Sequence, residues 1–558
     1  MRKAIYLQIL YLFIIIAATA QAPQLPIYTK ADTLRGSNNA NRDWWDVLKY
    51  DISVTPNLDN KTIHGVCTIT FKVVKLGSVM QIDLQDTLAI ISTSIVNANR
   101  IFQKHPNITF HKEDGVYLLQ TGNALRKDSI YALRIVYNGK PREAVNPPWD
   151  GGWVWKKDAN GKPWVSVACQ GLGASSWYPC KDIQSDEPDS GATLSITTPD
   201  SLVSVGNGRM VYQNTMDRTC TSKWQVTNPI NNYTIIPYIG KYVNFTDTLM
   251  GEGGKLDLSY WVLDYNLEKA KLQFDQAKPM LHCFEYWFGK YPFYEDSYKL
   301  VEAPYLGMEH QSAVAYGNGY KNGYHGRDLS GSGWGLKWDF IIVHESGHEW
   351  FANSITTKDI ADMWVHEGFT NYSEVLYTEW LFGKEAGKDY CVGIRKNILN
   401  DKPIIGPYGV NKEGSSDMYY KAANTIQNIR HIINDDSLFR QILRGLNKEF
   451  YHQTVTTQQI ETYISQQSGI NLQKVFDQYL RTTQVPELHY HINKDPSSIT
   501  LNWANCVDGF NMPITIPLSS LTINIGTNKT TVTLTEEEMG WFNKKNLERE
   551  YYIVVIKN

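Results

Sequence analysis

The stretch VHESGHEW (343–350) contains two histidines four residues apart, with a glutamate directly after the first. On a helix, His344 and His348 lie one turn apart and project from the same face, so both imidazoles can bind one metal ion. Glu345 is then placed to hold a water on that metal, which is the chemistry of a zinc hydrolase. The alternative interpretation is a pair of core histidines without a catalytic role.

A third ligand candidate, Glu367, follows in MWVHEGFTNYSE (363–374). A catalytic zinc takes three protein ligands and keeps one position open. Two helices joined by NSITTKDIAD (353–362) can pack so that Glu367 faces the histidine pair, and this combination favours a metal site over core histidines. The neighbouring His366 lies on a different helical face, which favours a surface or supporting residue over a ligand.

The length and net charge of the chain limit the number of domains and the classes of partner that it can have. A chain of 558 residues is long enough for two to four domains. Its net charge is −3 and no block of Lys or Arg is present, so neither a nucleic-acid partner nor binding to an anionic membrane surface is expected. The ligand types predict one Zn²⁺ per chain, although such a site could also bind cobalt or manganese.

The N-terminus is typical of a secretory signal peptide, residues 1–22. Two basic residues precede an apolar run, and small residues end it at Ala20 or Ala22. The run is short for a bilayer span, so a membrane anchor is the less favoured interpretation. We expect an exported protein, periplasmic or extracellular and possibly attached to the envelope, with no transmembrane span in the mature chain.

Seven cysteines are scattered along the chain without zinc-ribbon spacing. An exported protein could join Cys169 to Cys180 in a disulfide. Two buried thiols are an equally good interpretation.

The hydrophobic pattern changes twice along the chain. Alternating stretches such as KTIHGVCTITFKVV predict a β domain over 23–264. Helical spacing predicts a mostly helical domain over 265–488, and this domain contains the predicted zinc ligands and is the predicted catalytic domain. Alternating strands return over 489–558 and predict a small β domain there. The fold class is therefore multidomain α+β. The glycine-rich segment 317–335 lacks phosphate-loop spacing and is predicted as a flexible loop that could gate the site.

Beyond the zinc segment, the sequence resembles the aminopeptidase N family of gluzincin metallopeptidases, which is related to the leukotriene hydrolase branch. The family's G-x-M-E-N motif corresponds to LGMEH (306–310), in which Leu306 replaces the glycine and His310 replaces the asparagine. The resemblance implies that Glu309 binds the free α-amine of the substrate and that Gly307 and Met308 lie beside the substrate.

Two further segments carry the resemblance. DMYYKAANTIQNIR (417–430) is similar to the family's Y-x-K-G-A segment, with Ala422 in place of glycine, which implies that Tyr419 stabilises the transition state. CQGLGASSWYPCKD (169–182) matches a family stretch in which Gln170 shares the amine contact. The resemblance implies a saddle-like β domain, a thermolysin-like catalytic domain and a β-sandwich tail. The large helical C-terminal domain of many members does not fit in the residues left.

We therefore expect an exported zinc aminopeptidase that acts on peptides with a free N-terminal amine. Two alternatives stay open: a thermolysin-like endopeptidase or epoxide hydrolase on the same scaffold, and a zinc-bearing binding protein that has lost catalysis. The sequence leaves the preferred first residue and the oligomeric state open.

Four tryptophans in the segment 146–164 could line the cleft or pack within the β domain: Trp149, Trp153, Trp155 and Trp164.

Overall fold

The computed structural model describes residues 28–97, 108–122, 125–493 and 497–558. The predicted signal peptide lies outside the described residues. Across the described ranges, no helix combines the length and the apolar character that a membrane crossing requires.

The chain up to residue 263 is built mostly from strands, because its apolar side chains alternate between a buried and a more exposed face. A short helix, α1 (Lys30–Gly36), comes first. The strands are β1 (Trp45–Asn57), β2 (Thr62–Val73), β3 (Val79–Asp83), β4 (Leu88–Asn97), β5 (Thr109–Glu113), β6 (Val116–Gln120), β7 (Ile130–Gly139), β8 (Gly152–Lys157), β9 (Pro163–Ala168), β10 (Ala192–Pro199), β11 (Val203–Val205), β12 (Arg209–Met216), β13 (Thr219–Val226), β14 (Tyr238–Gly240), β15 (Tyr242–Gly251) and β16 (Gly254–Leu263).

Fourteen of these sixteen strands form three sheets. The largest has seven strands in the order β12-β13-β10-β1-β2-β7-β4, and the other two have the orders β11-β14-β9-β8 and β3-β6-β5. In the largest sheet, β1 pairs in parallel with β10 and antiparallel with β2. The predicted β-rich N-terminal region is therefore confirmed.

The region predicted as the zinc catalytic domain, referred to below as the catalytic region, is mostly helical, as predicted. Its helices are α2 (Leu267–Phe274), α3 (Ala277–Phe288), α4 (Phe340–Gly347), α5 (Trp364–Phe382), α6 (Lys384–Ile394), α7 (Tyr420–Ile433), α8 (Asp436–Glu449), α9 (Thr457–Ser468) and α10 (Gln473–Arg481). Its strands are β17 (Tyr298–Glu302), β18 (Gly307–Met308), β19 (Val314–Tyr316), β20 (Ile355–Thr357) and β21 (Gln453–Val455).

The sheet beside the candidate site has five strands, in the order β15-β16-β17-β19-β18. It crosses the domain boundary that the sequence predicts at residue 264, because the β15–β16 hairpin pairs with β17 from the catalytic region. The change from alternating to helical spacing marks the end of the strands correctly, but it does not show which sheet they join. The strand β18, which carries part of LGMEH, lies at the edge of this sheet.

The C-terminal part combines strands with helices, which the sequence analysis did not predict. It contains β22 (Glu487–Ile492), β23 (Ser498–Ala504), β24 (Ile514–Ile516), β25 (Leu521–Ile523), β26 (Thr530–Thr533), α11 (Glu536–Trp541), α12 (Lys544–Glu550) and β27 (Val554–Lys557). Four strands form one sheet, β26-β23-β22-β27, and two form another, β24-β25. The Tyr552 amide donates to Asn428 Oδ1 (2.9 Å), which fixes this part to α7.

All seven cysteines are free thiols, and six of them are buried. Cys169 and Cys180 therefore do not form the disulfide that the sequence left open. The Cys169 thiol instead donates to the Tyr233 carbonyl (3.3 Å).

Candidate metal centre and substrate cleft

The helix α4 carries His344 and ends at His348, its C-terminal cap, and it begins where an aspartate caps it. Asp339 Oδ1 accepts from the backbone N–H of Ile341 (3.0 Å) and Ile342 (3.4 Å), so the first turn of α4 has its donors satisfied. All eight residues of α4 are buried. The glycine-rich segment before it is tied to the same cap, because Asn318 Nδ2 donates to Asp339 Oδ1 (2.8 Å).

The two histidines and the third predicted ligand converge on one point. His344 Nε2 lies 3.7 Å and His348 Nε2 lies 3.4 Å from Glu367 Oε2. That carboxylate oxygen is buried and has no hydrogen-bond partner among the described residues. A buried carboxylate oxygen facing two imidazole nitrogens fits a metal ion, since oxygen and nitrogen are ligands that Zn²⁺ accepts.

The other ring nitrogens of the histidines are held by hydrogen bonds. His344 Nδ1 contacts Glu374 Oε1 (2.7 Å), and His348 Nδ1 contacts the Phe351 carbonyl (3.0 Å). An Nδ1–H that donates leaves the Nε2 lone pair free for a metal. The sequence analysis missed Glu374, although its position seven residues after Glu367 on α5 puts both carboxylates on one helical face.

Charge and burial act against each other at this site. Burial alone would raise the pKa of Glu367, but the two histidines hold it well below its usual range, so the carboxylate is ionised. Burial, opposed in part by His344, raises the pKa of Glu345 to about 7. Both protonation states of Glu345 are therefore accessible near neutral pH.

Glu309 lies in the same cleft and is held from two sides. Gln170 Nε2 donates to Glu309 Oε1 (2.6 Å), and the Tyr233 hydroxyl donates to the same oxygen (2.9 Å). Carboxylate oxygens of Glu309 and Glu345 and a ring nitrogen of His348 lie within 4.8 Å of one another. The structure thus brings together Glu309 and Gln170 as the resemblance implied. It adds Tyr233, which no pattern in the sequence indicated.

Gly307 fits closely against Glu345. A Cβ atom at position 307 would lie 2.7 Å from Glu345 Oε1 and 2.8 Å from Ile341 Cγ2. Met308 and Leu306 line the same cleft. The lack of a side chain at position 307 lets strand β18 approach this carboxylate.

His310, at the end of LGMEH, is not among the residues that line the cleft. His310 is fully buried and lies between aromatic rings, with Nδ1 2.5 Å from the Tyr238 hydroxyl. Tyr238 donates in turn to the Ala313 carbonyl (2.7 Å), so His310 is the donor in the first bond. Burial lowers the pKa of His310 to about 3. The sequence analysis expected an effect on cleft shape or polarity, but this side chain belongs to the core.

Tyr419 lies at the start of α7 and lines the cleft. Its ring centroid is 6.0 Å from that of His344, with the two planes 22° apart. Burial and then the negative charge of Glu367 raise the pKa of Tyr419 well above its usual value. The hydroxyl therefore keeps its proton and can donate a hydrogen bond.

His366 is buried, which agrees with the supporting role rather than the surface position among the two that the sequence left open. Its Nε2 accepts from the backbone N–H of Thr357 (2.9 Å), so this nitrogen is not available to a metal. Burial lowers the pKa of His366 to about 3, which keeps the ring neutral. It supports the strand before α5.

The cleft has a volume of about 1040 Å³ and includes the candidate ligands, Glu345, Glu309 and Tyr419. Of the four tryptophans in 146–164, only Trp149 lines it. Trp153 is fully buried and stacks on Trp155 at 4.8 Å, and Trp164 donates to Tyr242, so these three pack within the β region. Tyr324 of the glycine-rich segment also lines the cleft.

Comparison with known families matches two successive parts of the chain. Residues 47–234 match the Peptidase M1 N-terminal domain, and residues 272–479 match the Peptidase family M1 domain. The chain is 20% identical over 426 residues to "Probable aminopeptidase 2" of Sulfurisphaera tokodaii, covering 73% of this chain and 51% of the relative. It is 24% identical over 334 residues to "Aminopeptidase B" of Rattus norvegicus, covering 56% of this chain and 48% of the relative. The chain thus spans about half the length of these curated relatives.

Solved structures share the fold. The M1 zinc metallopeptidase from Deinococcus radiodurans aligns with a TM-score of 0.65 at 19% identity, covering 80% of this chain and 96% of that one. A mutant of that protein, bound to a Tyr-Ser-Ala substrate, aligns with a TM-score of 0.64 at 20% identity, covering 79% of this chain and 95% of that one. With both M1 domain models matched in order and a His-His-Glu group that suits the metal of this family, the chain belongs to peptidase family M1, a family of zinc-dependent peptidases.

Proposed function

We propose that the protein is an exported zinc aminopeptidase that removes the first residue from peptides. The observation that carries this proposal is the position of Glu309, next to both Glu345 and His348. A carboxylate that binds an ammonium group there leaves room for one residue before the bond that is cleaved.

His344, His348 and Glu367 would hold the zinc ion. When bound, zinc supplies Lewis acidity to the scissile carbonyl and to the attacking water. The protein keeps both imidazoles in the metal-binding tautomer through Glu374 and the Phe351 carbonyl.

Glu345 is the proposed general base. Its carboxylate takes a proton from the attacking water, and its carboxyl returns that proton to the leaving amine. Tyr419 donates a hydrogen bond to the carbonyl oxygen as negative charge develops on it, which contributes about 3 kcal/mol to transition-state stabilisation when the donor is preorganised.

Glu309 and Gln170 together select a free amine. Because Gln170 Nε2 is committed to Glu309, its carbonyl oxygen is the atom left to accept from an ammonium group. An acylated nitrogen carries no charge and would leave the buried Glu309 without a cationic partner, which is costly.

Export is supported by the sequence of residues 1–22 alone. We expect the mature protein to begin after Ala20 or Ala22 and to be recovered outside the cytoplasm. Mass spectrometry of the N-terminal peptide of the native protein tests this, and a native chain that still carries residues 2–20 would contradict it.

Enzyme assays test the activity directly. We would measure hydrolysis of aminoacyl amides with free and with N-acetylated amines, with and without chelator, for the parent and for Glu345→Gln, whose zinc content is measured in parallel. We expect chelator-sensitive cleavage of the free-amine set only, lost in Glu345→Gln at unchanged zinc content. Equal cleavage of the acetylated set would indicate an endopeptidase. Zinc binding without cleavage would indicate a binding protein.

A further inference from the structure

Helix α1 forms part of the cleft wall, although it precedes the first strand of the β region. Asp32, Arg35 and Gly36 all line the cleft. Residues 47–234 and 272–479 account for the two M1 domain matches, so α1 lies outside both of them. Its role is therefore not explained by those two domains.

The helix joins the two sides of the cleft. On the β side, the Arg35 guanidinium donates to the Leu172 carbonyl. On the catalytic side, the Asn411 backbone N–H donates to the Asp32 carbonyl (3.1 Å). Gly36 fits so closely against this second side that a Cβ atom there would lie 2.2 Å from the Val410 carbonyl carbon.

Buried polar groups fix the helix to the β region. Arg42 Nη1 donates to the carbonyls of Arg35 and Ser37 (both 3.0 Å), and Gln81 Nε2 donates to the Leu34 carbonyl (3.1 Å). Arg42 also pairs with Asp83, and both side chains are almost completely buried. The last turn of α1 therefore has its carbonyls satisfied and its position determined.

The contacts of α1 place it at the amine end of the cleft. Leu172 follows Gln170 by two residues, and Gln170 holds Glu309. Val410 and Asn411 stand shortly before Glu413, a residue that also lines the cleft. Phe340 and Tyr324, whose ring centroids are 5.4 Å apart, line the cleft beside the N-terminal end of α4.

We infer that α1 is a steric stop that closes the cleft beyond the substrate's first residue. This inference rests on the proposed aminopeptidase function and deepens it: Glu309 selects the charge of the N-terminus, whereas α1 excludes chain that would extend past it. A peptide blocked by a bulky acyl group would have to displace α1 from Leu172 or from Val410.

The variant Gly36→Ala tests the inference, because its Cβ forces α1 and the 406–413 segment apart. The readout is the ratio of kcat/KM for an N-acetylated substrate to kcat/KM for the matching free-amine substrate. We expect this ratio to rise by about tenfold or more, the scale of a removed steric exclusion. Arg35→Gln removes the contact between α1 and the Leu172 carbonyl on the other side of the cleft, and it is expected to raise the same ratio. It replaces Gly36→Ala as the test variant if that protein does not fold.

Two matched controls accompany these variants. Thr33→Ala changes an exposed residue of α1, and Gly526→Ala adds a Cβ where no atom lies within 4 Å. Both are expected to keep the parent ratio. An unchanged ratio in folded Gly36→Ala and Arg35→Gln, with the parent still cleaving free-amine substrates, would overturn the steric stop alone. A parent that cleaves no free-amine substrate would overturn the proposed function and this inference with it.

Discussion

At the scale of single residues, the site depends on an absent side chain as much as on charged ones. Gly307 leaves the space in which Glu345 lies, and any Cβ there would contact the carboxylate oxygen at 2.7 Å. We predict that Gly307→Ala lowers kcat/KM by about a hundredfold, since a displacement of about 1 Å in a catalytic group has this effect. Steady-state kinetics with zinc analysis checks the prediction, with Gly526→Ala as control. Unchanged kcat/KM would show that the Glu345 carboxylate can shift without loss of activity.

Tyr419 offers a second test at this scale. We predict that Tyr419→Phe lowers kcat by about two to three orders of magnitude, with little change in KM or zinc content, because only the hydrogen bond to the developing charge is lost. The ring remains and keeps its packing against His344. Kinetics of the free-amine amides measures both constants. A raised KM at constant kcat would instead assign Tyr419 to substrate binding.

The sequence predicts the candidate site residues that lie close together along the chain. His344, Glu345 and His348 follow from helical spacing alone, and Glu367 follows from the next helix. Contacts between distant segments could not be predicted in this way. Tyr233 reaches Glu309 from the β region, and His310 turns into the core because Tyr238 offers it a partner there.

At the scale of elements, α5 acts as a single support for the metal site. It supplies Glu367 as a candidate ligand and, two turns later, Glu374 as the partner of His344. Glu374 is itself held by the Tyr390 hydroxyl (2.6 Å) from α6 and by Asn371 (2.8 Å). The position of His344 therefore depends on how α5 and α6 pack.

We predict that Glu374→Gln weakens zinc binding by about ten- to a hundredfold, because an amide holds the His344 tautomer less firmly than a carboxylate does. Competition with a chelator, followed by metal analysis, measures this without relying on activity. Glu385→Gln, at an exposed position on α6, is the control. Equal zinc affinity in the two variants would contradict a supporting role for Glu374.

At the scale of the whole molecule, a buried carboxyl group joins the β region to the catalytic region. The Thr356 hydroxyl lies 2.6 Å from Glu187 Oε1 and 2.5 Å from the Ala352 carbonyl oxygen. The Thr356 hydroxyl has one proton and can donate it to either of these two oxygens. Burial raises the pKa of Glu187 from 4.5 to about 8, which favours its protonated form near neutral pH.

This raised pKa gives a pH prediction with a definite sign. The contribution of Glu187 to stability is fully present below about pH 4.5 and is lost as the pH rises through about 8. We predict that the parent loses about 1.4 kcal/mol per pH unit across this range relative to Glu187→Gln, which mimics the protonated acid. Denaturant unfolding of both proteins at several pH values measures the difference. Parallel stability curves would show that Glu187 does not titrate in this way.

The order of the regions along the chain could be predicted from the sequence, but their spatial grouping could not. Alternating and helical spacing distinguish the β region from the helical region. Periodicity does not tell which strands share a sheet, so the partnership of β16 with β17 was missed. The short helices α11 and α12 were missed because neither is longer than seven residues, which is too short for a clear helical period.

The five-stranded sheet has a consequence for dividing the protein into fragments. A fragment of residues 265–558 would lack β15 and β16, so β17 would expose the backbone groups that pair with Leu258–Trp261 in the intact chain. Unpaired strand edges recruit other chains, so this fragment should self-associate. A fragment of residues 242–558 keeps the hairpin and should elute at a smaller apparent size in gel filtration. We therefore expect a stable fragment of the catalytic region to begin at the hairpin, inside what the sequence assigns to the preceding domain.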